Sequence, residues 1–261
     1  MLEYFQIYND TKQQVLFIEV KTKEGDTACG TAFHIGDGLL VTAAHNVASA
    51  YTVYTQSHET VDVSELLKLE ERDLAILKTN FSPRILLVES GIEGGEAIKR
   101  ESPKFVKLAS YFAPSDLAET LILEDVYLFG FPPIPTAGTE NPTLVAVRAQ
   151  VNAFVKTRQN QDKVLILSST ARGGFSGGPV LNSQKELVGV CIEGLYWGGK
   201  PVETGFTAAL CVDPLLEVLE QNKLYPAGND EQVRGWPRRK LFMEQETKRP
   251  NVCSDNDFQI N

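Results

Sequence analysis

Short β-type runs recur along most of this chain, each closed off by glycine, proline or an Asn/Asp cluster, and they leave little room for helices. Eleven can be read: 15–22, 28–36, 38–45, 51–55, 73–79, 85–90, 126–131, 143–157, 164–170, 187–197 and 205–212. They are rich in Val, Ile, Leu, Thr and aromatic residues, which fit a pleated, half-buried surface. Gly36-Asp37-Gly38 reads as a tight hairpin turn between two of them. So many short strands point to an all-β sandwich or a pair of barrels. The one clear helix comes late, over 213–224, with Asp213 as N-cap and Pro214 at the first helical position. Its Leu215, Leu216, Leu219 and Leu224 form an apolar stripe suited to docking on a sheet. A short helical turn is expected at 64–71 or at 115–120. After Tyr225 the chain becomes polar and reads as a tail or linker, with one helical piece near 239–248.

The 261 residues suit one large domain or two small ones. A weak boundary at 101–105 halves the β region. The expected organisation is an N-terminal barrel over 1–103, a C-terminal barrel with its helix over 104–225, and a tail over 226–261. The net charge of −9 repels phosphate backbones, so nucleic acid is not an expected partner. The first residues lack the basic and apolar regions of a secretory signal, and no apolar run approaches the ~18 residues of a membrane span. A cytoplasmic location, away from membranes, is the expectation. Cys29, Cys191, Cys211 and Cys253 form no CxxC pair, so neither a metal site nor any other cofactor is expected. The thiols read as free, with Cys191 and Cys211 the one pair that neighbouring strands would bring together.

Ser176 lies in Gly174-Phe175-Ser176-Gly177-Gly178, a G-x-S-x-G pattern. On an α/β-hydrolase this would be the nucleophile elbow, and the histidine would follow the serine. Here the only histidines are His34, His45 and His58, all upstream, and strands do not alternate with helices. The order His, Asp, Ser is instead met by His45 at the end of GLLVTAAH, Asp73 at the start of DLAIL, and Ser176. Each residue type has a chemical reason. A serine hydroxyl is a poor nucleophile until a base takes its proton, and histidine titrates in the right range. A carboxylate fixes the imidazole tautomer, and two backbone N–H groups, here those of Gly174 and Ser176, can hold the oxyanion that attack creates. Asp62, Glu70 and Glu71 are the nearby competitors of Asp73. His34 and His58 read as exposed and without a catalytic task.

The segments 30–47, 72–79, 129–132, 171–182, 187–194 and 205–212 resemble, in order, the trypsin/chymotrypsin superfamily of serine proteases. The likeness is greatest to its bacterial-type, disulfide-poor branch with HtrA-like protease domains, here without a PDZ-like extension. It spans roughly 12–225. It implies two six-stranded antiparallel β-barrels with a C-terminal helix, and a serine endopeptidase working through an acyl-enzyme. It also implies a substrate groove formed by Thr170, Ile192, Glu193, Gly194 and Gly205. Thr170 at the pocket base carries no charge, so a large apolar or aromatic P1 side chain is expected, with Glu193 the one group that would favour Lys or Arg. The family's disulfide beside the catalytic histidine is missing, because Asn46 follows His45; Cys29 stands near the other end of that segment. Phe175 replaces the acid that pairs with a freshly cut N-terminus, so control is expected from a regulatory protein or fused domain acting on 133–142, 171–175 or the tail. The expected partner in catalysis is a protein or peptide substrate. The alternatives are a latent protease-fold module that binds peptides without cutting them, and an esterase or acyltransferase using the same three residues.

Overall fold

The computed structural model describes residues 2–22, 25–93, 96–109, 121–134, 142–156, 162–169, 173–192, 196–197, 200–201 and 205–246. After a short helix α1 (Leu2–Thr11), seven strands form the first sheet. They are β1 (Val15–Lys21), β2 (Thr27–Gly36), β3 (Leu39–Thr42), β4 (Tyr51–Tyr54), β5 (Thr60–Val61), β6 (Val63–Leu69) and β7 (Leu74–Thr79), bonded in the order β5-β4-β1-β2-β3-β7-β6. Its two edges, β5 and β6, are consecutive pieces of chain on either side of Asp62, so the sheet curls round at that residue. The hairpin β8 (Leu87–Glu93) and β9 (Glu96–Glu101) stands apart from it as a two-stranded ribbon. The expected helical turn at 64–71 is instead strand β6 followed by a 3-10 turn over Glu70–Arg72. The pairing of β6 along β7 overrides the helical propensity of its Leu, Glu and Lys residues.

The second sheet contains β10 (Lys107–Leu108), β11 (Asp125–Gly130), β12 (Val145–Lys156), β13 (Lys163–Leu167), β14 (Pro179–Leu181) and β15 (Glu186–Cys191). After a small ribbon of β16 (Tyr196–Trp197) and β17 (Lys200–Pro201) it is completed by β18 (Thr207–Cys211). A β15–β18 pairing closes six of these strands into a barrel, with β10 added in parallel to β15. A bulge at Val151/Ala153 gives the long strand β12 the bend that closure requires. The chain adopts the expected mostly-β chymotrypsin-like architecture, but only the second sheet closes into a six-stranded barrel; the first is a seven-stranded half-barrel whose edges β5 and β6 do not pair.

Period-two alternation explains why the strands read as nearly continuous apolar runs. In the first sheet Leu16, Ile18, Leu40, Ala75 and Leu77 point into one core, while Val15, Phe17, Leu39, Val41, Leu74 and Ile76 point the other way. In the second, Val126, Leu128, Leu165 and Val180 fill the barrel with Phe175, and Tyr127, Phe129 and Leu181 face outward. Both outward sets meet in a single cluster, so each sheet is buried on two faces and the sheets are welded along the seam.

Two expectations at the C-terminal end need correction. Helix α2 begins at Val212 and runs to Gln221, so Asp213 lies buried within its first turn and the N-cap position falls to Cys211, which makes no side-chain cap bond. The residues beyond Tyr225 are not a loose linker as far as Glu246. Asn229 is fully buried and its side chain accepts from the Leu108 N–H at 2.8 Å while donating to the carbonyls of Ile35 and Val106 at 2.8 and 2.9 Å. Helices α3 (Asp230–Arg234) and α4 (Trp236–Glu246) follow, and Val233 and Trp236 enter the shared core.

Candidate active site

His45 sits in a 3-10 turn, Ala44–Val47, that directly follows β3. Asp73 ends the turn Glu70–Arg72 in a left-handed conformation, φ 50°, just before β7. Because β3 pairs with β7, from Leu39↔Lys78 to Thr42↔Ala75, the turn that follows one strand and the residue that precedes the other come together. His45 Nδ1 lies 2.9 and 2.8 Å from the two oxygens of Asp73, and the His45 backbone N–H donates to Asp73 Oδ1 at 3.0 Å. A carboxylate only accepts, so Nδ1 carries the proton, and Nε2 is the ring nitrogen able to accept one.

Ser176 is contributed by the second barrel, half-buried between Phe175 and Gly177. Its turn is pinned on both sides. The Phe175 side chain is buried in the barrel interior, and a Cβ added at Gly130 would fall 2.7 Å from the Phe175 Cα. Gly174 has φ +80°, and a Cβ there would be 2.1 Å from the Phe131 carbonyl oxygen. That carbonyl stays in place because the Phe131 N–H donates back to the Gly174 oxygen at 3.1 Å; the Thr31 hydroxyl donates to the same oxygen. The Ser176 carbonyl accepts from the Thr31 N–H at 2.9 Å and from Asn46 Nδ2 at 2.8 Å. Thus residues of the first sheet grip the serine turn from across the seam.

Thr31 and Thr42 were not given a role from the sequence, and Asn46 was noted only as the residue that follows His45 in place of the family's cysteine. The position facing residue 46 is Gly30, not Cys29: a Cβ on Gly30 would lie 2.5–2.7 Å from the end of the Asn46 side chain. Cys29 pairs across to Glu19 on β1.

Of the expected groove residues, Thr170, Glu193 and Gly194 lie outside the described residues. Ile192 is partly buried, and its N–H donates to the Ala208 carbonyl at 3.2 Å. Gly205 is exposed, and a Cβ added there would meet nothing within 4 Å.

His58 is exposed, as expected, and stacks on Tyr54. His34 is not: it is 5% exposed, with Nδ1 2.9 Å from the Lys104 carbonyl and Nε2 accepting from the Gly38 N–H at 3.1 Å. Burial pushes its pKa down, so it is a neutral structural histidine bracing the hairpin turn. Cys29, Cys191 and Cys211 are free thiols, and strand register sets Cys191 opposite Ala209 rather than Cys211. Burial pushes the Cys191 thiol up to about 12, which makes it unreactive. No helix among the described residues is long and apolar enough to cross a membrane.

Residues 30–190 match the model of a family described as the trypsin-like peptidase domain. By sequence alone no functionally curated protein matches the chain. Among solved structures the fold is similar to the Rv3671c protease of M. tuberculosis in its active form, at 17% identity and a TM-score of 0.61, covering 87% of this chain and 88% of that one. It is similar to the HtrA-type protease AlgW with tripeptide, at 16% identity and a TM-score of 0.59, covering 85% of this chain and 63% of that one. It is also similar to the serine endoprotease of Yersinia pestis, at 18% identity and a TM-score of 0.55, covering 85% of this chain and 66% of that one. The chain therefore spans under two thirds of the length of AlgW. With the match covering residues 30–190, more than half of the chain, the chain belongs to the trypsin-like peptidase domain family.

Proposed function

We propose that this chain is a serine endopeptidase in which Ser176 is the nucleophile, His45 the general base and Asp73 the group that orients it. The observation that carries the reading is the seating of His45 Nδ1 between both oxygens of Asp73, 2.8 and 2.9 Å away. That arrangement supports general-base work: it fixes the tautomer with Nε2 unprotonated and stabilises the imidazolium formed when Nε2 takes a proton. In the proposed reaction His45 Nε2 removes the Ser176 hydroxyl proton as Oγ attacks the peptide carbonyl. The tetrahedral oxyanion is held by the N–H groups of Gly174 and Ser176, and the imidazolium then protonates the leaving amine. Water, deprotonated by the same imidazole, releases the acyl group from Ser176.

Protein or peptide chains are the proposed substrates, held as an added strand near Ile192. The open space at Gly205 supports a slot wide enough for a large apolar or aromatic P1 side chain. Control by a regulatory partner and an intracellular setting belong to the same proposal; the free thiols fit a reducing compartment. A degenerate peptide library tests it. The wild type is expected to cut after apolar or aromatic residues, and Ser176→Ala to cut nothing. Strict cleavage after Lys or Arg would overturn the apolar P1 assignment. Peptide binding with no cleavage by folded wild-type protein, alone or with its partners, would leave a binding module instead of an enzyme.

A further inference from the structure

We infer that Asn46 is a positioning residue for the proposed catalytic pair, setting the distance between His45 and Ser176 by holding the serine's own carbonyl. The inference rests on the protease reading above. Asn46 is 2% exposed and sits on the seam between the two barrels, one residue after His45. Its Nδ2 donates to the Ser176 carbonyl at 2.8 Å and to Thr42 Oγ1 at 3.0 Å.

The orientation of this amide is forced. The Ser176 carbonyl can only accept. The single proton of the Thr42 hydroxyl is spent on the Thr31 carbonyl, 2.7 Å away, so Thr42 Oγ1 also accepts from its Asn46 side. Both neighbours therefore call for the nitrogen, and turning the amide over would set its oxygen against two acceptors. The peptide after Ser176 is fixed at its other end too, where the Gly177 N–H donates to the Cys191 carbonyl at 2.8 Å. Its oxygen is thus bound to the first barrel and its N–H to the second. Asn46 is the side chain that makes this attachment from the same turn that carries His45.

Space for the link is built in. Any side chain at Gly30 would strike the end of Asn46, and a Cβ at Gly177 would fall 2.3 Å from both the Thr31 oxygen and Thr42 Oγ1. The link matters because the serine hydroxyl must lie within about 2.6–3.2 Å of the imidazole nitrogen. A displacement of about 1 Å costs on the order of 100-fold in rate. Asn46 touches neither substrate nor reacting atoms, so its effect falls on the chemical step rather than on substrate binding.

The test is the rate and amplitude of fluorophosphonate labelling, together with kcat and KM on a fluorogenic peptide, for the wild type, Asn46→Ala and Asn46→Asp. Labelling amplitude reports how much protein is folded; its first-order rate reports the reactivity of the folded molecules. Asn46→Asp keeps the volume but faces two acceptors with carboxylate oxygens, so it remains informative should Asn46→Ala fold poorly. For both variants the expected result is a labelling rate and kcat lower by about 10- to 100-fold, with KM within about twofold. Variants with reduced amplitude but a wild-type rate, or with kcat and KM both unchanged, would overturn the positioning role and leave the protease reading intact. A folded wild type that neither labels nor cuts would overturn the protease reading, and this inference with it.

Discussion

At the scale of single residues, the site is controlled as much by missing side chains as by present ones. Gly174 shows this most sharply, because the atoms that a Cβ would strike are the backbone oxygen and carbon of Phe131 and the Cα of Pro132, none of which is free to rotate away. With φ at +80° the position is also strained for any other residue. Gly174→Ala is expected to displace the loop that aims the proposed oxyanion donors and to lower kcat by about 10²–10³-fold. Gly25→Ala is the matched control: φ is +89°, but nothing lies within 4 Å of the added carbon, so only stability pays. Equal kinetic losses in the two variants would show that general strain, not the oxyanion loop, is responsible. His45 and Asp73 were legible in the sequence because chain order and motif restrict the candidates to few. The surroundings of Ser176 were less so. Whether Cys29 or Gly30 faces residue 46 depends on strand register, where a shift of one residue turns a side chain to the opposite face. His34 illustrates the same limit: it alternates with apolar neighbours on β2, yet is buried because Lys104 and Gly38 satisfy both ring nitrogens.

At the scale of elements, the strands with apolar alternation on both faces were readable, and those with charged faces were not. β6 carries Glu65 and Lys68, β9 carries Glu96, Lys99, Arg100 and Glu101 over both of its faces, and the three residues of β14 are too short a run to stand out beside the glycine-rich turn. Residues 115–120, the other candidate helical turn, lie outside the described residues. Helix α1 escaped notice because Asn9, Asp10 and Thr11 are buried beside Ile7, which blurs the apolar stripe. The start of α2 holds the clearest pH-dependent feature. Asp213 is buried under the helix, and desolvation pushes its carboxyl up from 3.8 to about 8, against the pull of Lys163 and Arg239. Between those two values the folded chain keeps a proton that the unfolded chain has lost. Stability from this group is therefore fully present below about 4 and falls as pH rises to about 8, by at most ~1.4 kcal/mol per pH unit. Asp213→Asn has no proton to lose. Its melting temperature is expected to gain on the wild type steadily from pH 5 to pH 8, as followed by thermal unfolding. A difference that stays constant across that range would contradict a buried, neutral carboxyl.

At the scale of the whole molecule, two sheets that could each have been a separate barrel are joined by one apolar seam and by polar bonds that cross it. Arg72, the neighbour of Asp73, pairs with Asp162 at 3.2 Å and with Glu217 of α2 at 2.8 Å, so the turn bearing the acid is tied to the second barrel. The two-barrel plan was foreshadowed by the number of short strands and by the family resemblance. The docking of residues 226–246 was not, because the residues that accomplish it, Asn229, Val233 and Trp236, are scattered through a polar stretch. All of these contacts converge on one claim, that His45 and Asp73 from one sheet and Ser176 from the other act as a unit. The most direct test is to label the folded protein with a fluorophosphonate and map the adduct by mass spectrometry. The expected result is a single phosphonylated residue, Ser176, with labelling abolished in Ser176→Ala and strongly slowed in His45→Ala. An adduct on another serine, or labelling of Ser176 that proceeds equally fast without His45, would contradict the account.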